Sequence, residues 1–171
     1  MSTADARGSM RSTSGRTIAI AGQNGVGKTS VADALVYAAG GNNRLGRVDD
    51  ETSLFDTEPE EMRRRSTITA SIYTLPWNKH SLTIVDTPGQ GNFVLDTAFT
   101  LRGVGAVLLV LDPSAPVRAE TVKIWGWAKK EKLPVIAFVT RLDRPDIDLD
   151  GYLATLGAAL DARATLVQLP I

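Results

Sequence analysis

The chain contains no cysteine. Disulfides, thiolate-held metals and a cysteine nucleophile are therefore excluded, although that alone does not fix the compartment. Histidine occurs once, at His80. It stands between two β-prone runs, where a solvated turn residue is a simpler reading than a base or a metal ligand. An excess of charge is missing too. Lys plus Arg number 19 and Asp plus Glu number 19, so nothing global favours a polyanionic partner. No apolar run approaches membrane-spanning length, and the N-terminus has no apolar core of a secretory signal. The default expectation is a cytoplasmic protein without a membrane partner. What is present is an ordinary globular share of hydrophobic residues, 43% of 171, enough for one domain with a sizeable core.

The chain is organised around Gly22-Gln23-Asn24-Gly25-Val26-Gly27-Lys28-Thr29. This stretch fits the phosphate-binding pattern GxxxxGK followed by Ser or Thr. Thr17 to Ala21 before it reads as a buried strand. After it, Val31, Ala34, Leu35 and Ala38 fall on one face of a helix. A loop joining a strand to a helix N-terminus can aim backbone N–H groups at phosphate oxygens, helped by the helix dipole. Gly22 and Gly27 permit the turn and the close approach. Lys28 would reach the terminal phosphates, and Thr29 would offer its hydroxyl to Mg²⁺.

Along the rest of the chain, residues 1–16 are rich in Ser, Thr, Gly and Arg without periodicity, and are expected to be a disordered tail. Gly40-Gly41 should end the first helix. Residues 42–66 are polar and irregular, a length of loop that is usually functional or disordered. The run Arg63-Arg64-Arg65 at its end reads as a solvated basic face. Thr67 to Leu75 and Ser81 to Val85 predict a hairpin connected through residues 76–80. Asp86-Thr87-Pro88-Gly89-Gln90-Gly91 follows the second of these strands. An acid at the C-terminal end of a strand belongs near a ligand in an α/β sheet. Asp86 can hold Mg²⁺ through water, and Gly89 can offer its N–H to a terminal phosphate.

Val104 to Leu111 predicts a strand covered on both faces, stopped by Asp112-Pro113-Ser114. Pro116 to Lys132 predicts a helix with Val117, Thr121, Ile124 and Ala128 on one face, Trp125 in the core and Trp127 partly exposed. Pro134 to Val139 predicts the next strand. Thr140-Arg141-Leu142-Asp143 comes directly after it. A carboxylate there can accept the N1 and N2 donors of guanine, a pair that adenine lacks. Leu149, Tyr152, Leu153, Leu156, Ala159 and Leu160 form a helical stripe, and Thr165 to Ile171 predicts a last strand. The expected fold is an α/β P-loop domain over residues 17–171. Its sheet has six mostly parallel strands with helices on both faces, and the second strand is antiparallel at one edge.

Taken together and in this order, these pieces resemble the GTP-binding domain of translational GTPases, specifically elongation factor G and its paralogues. The carrying stretches are GQNGVGKTS, LVYAAG, LGRVDD, TITAS, IVDTPGQGNF, the long segment from AETVKIW to TRLDRP, and VQLPI. The resemblance implies GTP and GDP as substrate and product, with Mg²⁺ held by Thr29, Thr67 and Asp86. It implies nucleotide contacts from Gly22, Gln23, Asn24, Gly25, Val26, Gly27, Lys28, Thr29 and Ser30, and from Gly89, Thr140, Arg141 and Asp143. Residues 42–66 match the mobile first switch. The aliphatic stem of Arg141 would cover the base, where the family usually has Lys. Lys28, Thr67 and Gln90 are the implied catalytic residues. The ribosome is the implied partner of the parent protein, and a monomer is expected.

Five departures qualify the likeness. Gln90 stands where these factors carry a water-positioning His, and Gln is what Ras-like GTPases use to orient water. Arg64-Arg65-Ser66-Thr67 replaces Arg-Gly-Ile-Thr. Asn24 replaces an apolar residue of the phosphate loop. Thr140 replaces Asn, as in some other GTPases. The chain ends where elongation factor G would continue, so the later guanine-contacting loop and all RNA-contacting domains fall outside it. With no intrinsic arginine evident beyond the candidates Arg64 and Arg65, slow hydrolysis is expected. The competing readings are a nucleotide switch that hydrolyses little, a P-loop kinase or ATPase, and a fragment that binds no nucleotide.

Overall fold

The computed structural model describes residues 15–55, 59–64 and 66–168, without the side chains at positions 59, 62 and 64. The expected tail over residues 1–14 and the side chains of Arg64 and Arg65 lie outside that description. The strands are β1 (Gly15–Ala21), β2 (Ser71–Trp77), β3 (His80–Asp86), β4 (Ala106–Leu111) and β5 (Val135–Val139). The helices are α1 (Lys28–Ala38), α2 (Pro59–Arg64), α3 (Val94–Leu101), α4 (Ala119–Lys130) and α5 (Leu149–Leu160). The strands form one sheet in the order β2-β3-β1-β4-β5. All neighbours are parallel except the β2–β3 hairpin.

Side-chain alternation along β1 explains the two cores. Ala19 and Ala21 point to one face, where they pack with α3, α4 and α5 through Leu101, Ile124 and Leu156. Ile20 points to the other, against Val31, Ala32 and Val36 of α1 and against Phe55. β4 divides the same way, with Val107, Leu109 and Leu111 on the first face and Val110 on the second. Its continuous apolar run is the signature of that double burial. Because β1 lies between β3 and β4, the ends of these strands open a crevice at the switch point of the sheet, where α/β proteins hold ligands.

Several expectations change. β1 begins at Gly15, two residues before the strand read from the sequence. The buried face of α1 is Val31, Ala32 and Val36, while Ala34 and Ala38 are exposed; alanines on several sides leave the orientation undetermined by pattern. The hairpin turn is shorter than expected. Strand pairing runs through Pro76–Ser81 and Trp77–His80, so only Asn78 and Lys79 turn, both at positive φ (49° and 67°). That is the backbone twist a two-residue hairpin needs. His80 is thus the first residue of β3. Trp125 and Trp127 are both half-buried against the same core. Helices α2 and α3 are additions to the elements expected from periodicity.

The sheet has five strands among the described residues, not six. Residues 165–168 are exposed and unpaired with β5, and residues 169–171 lie outside the description. β-propensity alone does not create a strand; it needs a neighbour edge and a face to bury. The Gly40-Gly41 cap is as expected: Gly40 has φ 74°, and the Gly41 N–H donates to the Val36 carbonyl at 2.9 Å.

A buried acid ties α1 to the following loop. Asp33 is 1% exposed, and its Oδ1 accepts the Leu54 N–H at 3.0 Å. Burial pushes its carboxyl pKa up, against the opposing hydrogen bonds from Leu54 and Ser53. A raised folded-state pKa favours the protonated fold: this contribution is present below the unfolded value and is lost as pH rises through the folded one. Asp33→Asn is therefore expected to raise Tm at pH 7 by about 2–4 °C, equivalent to about 1 kcal/mol, with the difference shrinking as pH falls through the carboxyl range. Thermal melts across that range check it.

Candidate functional site

The phosphate loop, Asp86 and residues 140–143 stand at the C-terminal ends of β1, β3 and β5. The phosphate loop follows β1, and Gly27 enters α1 at φ 92°, with its carbonyl accepting the Val31 N–H at 2.9 Å. A Cβ at Gly22 would run into the Val110 carbonyl oxygen. Only glycine therefore lets the loop lie this close to β4. Lys28, 6% exposed, donates from Nζ to the Gln23 carbonyl at 3.1 Å. Burial pushes its ammonium pKa down, and the nearby Asp86 carboxylate works against that shift. This is a buried cation that an anionic ligand would further neutralise.

Three oxygen-bearing side chains converge beside it. Thr29 Oγ1 donates to Asp86 Oδ2 at 2.7 Å. Thr67 Oγ1 lies 3.2 Å from Thr29 Oγ1 and 3.5 Å from the same carboxylate oxygen. Adjacent ligands of an octahedral Mg²⁺ with bonds of about 2.1 Å stand about 3.0 Å apart, so hard donors at these spacings fit that ion. One carboxylate and two hydroxyls leave room for waters and phosphate oxygens, which Mg²⁺ keeps. Among the described residues no group of three or more His, Asp or Glu side chains could hold a metal.

Thr67 is not in a strand, as the sequence suggested; β2 starts at Ser71. The cause is Glu61 of α2, which is fully buried. Its Oε1 accepts the N–H groups of Ile68 (2.8 Å) and Thr69 (3.1 Å), the donors a strand ladder would use. That grip holds Thr67 toward Asp86. Its other oxygen, Oε2, has no partner among the described residues. Sequence reading missed Glu61 because it lies in a charged run that looks solvated. Glu61→Ala leaves the half-buried Ile68 N–H and the more exposed Thr69 N–H without their shared acceptor, at about 1 kcal/mol each. Amide exchange at Ile68 and Thr69 is expected to quicken at least about 10-fold, while Glu61→Gln keeps most of the protection.

The loop after β3, residues 87–91, closes over the phosphate loop. Thr87 donates through both N–H and Oγ1 to the Ile20 carbonyl (3.2 and 2.8 Å). A Cβ at Gly89 would strike Lys28 Nζ and come within 2.9 Å of the Asn24 nitrogen. Gln90 Nε2 donates to Ser66 Oγ at 2.9 Å, and Ser66 Oγ donates to Asn24 Oδ1 at 3.2 Å. A cavity of about 230 Å³ opens here, lined by Asn24, Gly89, Gln90, Gly91, Asn92, Arg118 and Glu120. It has room for several waters at about 30 Å³ each.

Not every expected nucleotide contact points at the site. The Gln23 side chain is turned to the start of α4, where Oε1 accepts from Arg118 N and Thr121 Oγ1 (both 3.0 Å) and Nε2 donates to Pro116 O at 3.1 Å. Val26 is sunk in the α1 core, so both offer only backbone. Ser30 is exposed on α1. Thr140 Oγ1 is hydrogen-bonded to the Val26 and Leu111 carbonyls (2.9 and 3.0 Å). Arg141, at φ 58°, pairs with Asp112 and donates to the Gly25 carbonyl at 2.8 Å. Burial disfavours the Asp112 charge, but hydrogen bonds from Ser114 and Arg141 outweigh it and hold the carboxyl below its usual pKa. By sequence Asp112 is only a strand stop; its pairing with Arg141 needs the fold. Asp143 is exposed next to this anchored pair.

Comparison with known proteins agrees with the geometry. The family described as elongation factor Tu GTP binding domain matches residues 13–165. A protein of Drosophila yakuba named mitochondrial ribosome-releasing factor 2 is 36% identical over 156 residues, covering 91% of this chain and 22% of that protein. Its namesake in Candida dubliniensis is 34% identical over 161 residues, covering 94% and 20%. The chain thus spans about a fifth of the length of these relatives. A solved structure from Thermus thermophilus superposes with a TM-score of 0.78 at 33% identity, over 85% of this chain and 22% of that one. A bacterial selenocysteine-specific elongation factor shares the fold, with a TM-score of 0.65 at 23% identity over 85% and 23%. No helix among the described residues is long and apolar enough to cross a membrane.

Proposed function

The chain belongs to the elongation factor Tu GTP-binding domain family, and on that premise we propose that it binds GTP and GDP with Mg²⁺ and hydrolyses GTP slowly. It would do so as the G domain of an elongation-factor-G-like translation factor whose whole length engages the ribosome. The observation that carries this reading is the meeting of Thr29, Thr67 and Asp86 within 3.5 Å of one another beside buried Lys28. Three distant segments have no structural need to bring a carboxylate and two hydroxyls together there.

In the proposed reaction, a water oxygen bonds to the γ-phosphorus. The bond from that phosphorus to the bridging oxygen breaks and GDP leaves; the water proton passes to the phosphate released. Bound Mg²⁺ would supply charge neutralisation at the phosphates. Lys28 stabilises the negative charge that grows on the phosphoryl oxygens. Gln90 accepts a hydrogen bond from the attacking water, and Gly89 N–H holds the γ-phosphate. Asp143 accepts the two guanine donors, and the Arg141 stem, anchored at both Asp112 and Gly25, covers the base. A cytoplasmic monomer without a membrane partner is the accompanying proposal; the relatives carry "mitochondrial" in their names.

A nucleotide switch with little hydrolysis is the second reading, favoured by Gln90 standing where the family carries a water-positioning His and by polar Asn24 in place of an apolar loop residue. Titration calorimetry with GDP, a non-hydrolysable GTP analogue and ADP, each with Mg²⁺, tests the binding reading. Guanine nucleotides are expected to bind and ADP not to; ADP binding at similar strength overturns it. Single-turnover hydrolysis of GTP then separates enzyme from switch.

A further inference from the structure

Three segments that are far apart in sequence share one short chain of hydrogen bonds beside the cavity lined by Asn24 and Gln90. Gln90 Nε2 donates to Ser66 Oγ at 2.9 Å, and Ser66 Oγ donates onward to Asn24 Oδ1 at 3.2 Å. The direction of the chain is set by chemistry. The Asn24 carbonyl oxygen can only accept, so it takes the single hydroxyl proton of Ser66. The Ser66 oxygen then has only lone pairs left, and so it takes an N–H from Gln90. That decides which way the Gln90 amide faces.

We propose that Ser66 is a positioning residue for Gln90, acting with Asn24 to fix the amide so that Oε1 is presented to the cavity, where the attacking water would stand. The proposal rests on the GTPase reading above. With the amide reversed, its NH₂ group would face the cavity. A nitrogen donor cannot accept a hydrogen bond from the attacking water, so the wrong flip is a catalytically dead orientation. Ser66 therefore contributes without touching substrate. The hydroxyl does so from the residue next to Thr67, so whatever draws Thr67 to the metal corner also delivers Ser66 to Gln90. Cavity wall Gly89 and phosphate-loop Asn24 lie against each other, which keeps the three segments in register.

The test uses the 171-residue chain loaded with GTP and Mg²⁺. Ser66→Ala is expected to slow single-turnover hydrolysis about 10-fold, the scale of one lost positioning hydrogen bond. The Kd for a non-hydrolysable GTP analogue should stay within about twofold, since no phosphate contact is removed. Ser66→Thr, which keeps the hydroxyl, should recover most of the rate. Ser66→Ala combined with Gln90→Ala should be no slower than Gln90→Ala alone, because the effect travels through Gln90. The side-chain NH₂ resonances of Gln90 should move in Ser66→Ala and return in Ser66→Thr. Hydrolysis by Ser66→Ala at the parental rate overturns the inference and leaves the GTPase reading standing. Equal slowing by Ser66→Ala with and without Gln90 also overturns it. Guanine-nucleotide binding without any hydrolysis by the parent chain overturns the enzymatic reading and the inference with it.

Discussion

Lys28→Ala is expected to weaken GTP-analogue binding and single-turnover hydrolysis by about 10²–10³ each, the usual scale for removing one preorganised donor from a charge-developing site. The same substitution should leave the nucleotide-free chain at least as stable as before. The ammonium is 6% exposed, and burial already pushes its pKa down. It donates to the Gln23 carbonyl at 3.1 Å. Removing a desolvated charge that lacks a full counter-charge relieves a penalty that a bound triphosphate would otherwise offset. Calorimetric affinity and a thermal melt of the same sample therefore move in opposite directions, or only the first moves. A fall in both together would identify Lys28 as a structural residue and refute its role at the phosphates.

Asp143→Asn is expected to exchange base preference. In the proposed base site the carboxylate would accept two hydrogen bonds from guanine, whereas an amide would have to offer N–H to one of those positions, where guanine is also a donor. Affinity for GDP should fall by about 10³ or more, in the range seen when a polar site loses its matching partner. Xanthine, which has an oxygen at the second position, should gain what guanine loses. The fold should be indifferent, because Asp143 is exposed and such surface changes move stability by about 0.5 kcal/mol or less. Competition between GDP and XDP for the wild-type chain and the variant measures the exchange. An unchanged preference for GDP would remove Asp143 from the base site. Arg141 and Thr140 should keep their places in the variant, since their partners are Asp112, Gly25, Val26 and Leu111.

Much of this is legible locally. A loop of Gly22, Gly27, Lys28 and Thr29 between an apolar strand and a helix is a short-range pattern, and the backbone geometry it demands is short-range too. The uninterrupted apolar run that forms β4 announces burial on both faces. Asp86 is recognisable as an acid at the end of a strand, and Asp143 as one just beyond a strand. These features depend on neighbours within a few residues, so sequence alone determined the strand–loop–helix core and the parallel sheet with its antiparallel edge, and it placed Asp86 and Asp143 at or just beyond the ends of strands.

Tertiary structure decided the rest, because it depended on which distant segments meet. Nothing in the charged run around Glu61 marks it as fully buried; it is so because its carboxylate caps Ile68 and Thr69. The same contact takes Thr67 out of the predicted strand and turns it to Asp86. Gln23 looks like a phosphate-loop contact, yet its amide meets three groups of the α4 entrance, 93 to 98 residues away. The buried side of α1 could not be chosen among alanines until β1 and β4 offered a surface. The predicted sixth strand found no edge over residues 165–168. The Gln90–Ser66–Asn24 chain, spanning 24 and 42 residues, exists only once the segments bearing Ser66 and Gln90 both lie on the phosphate loop. Periodicity encodes what a residue does to its neighbours in sequence; hydrogen-bond partners across the fold are chosen by packing.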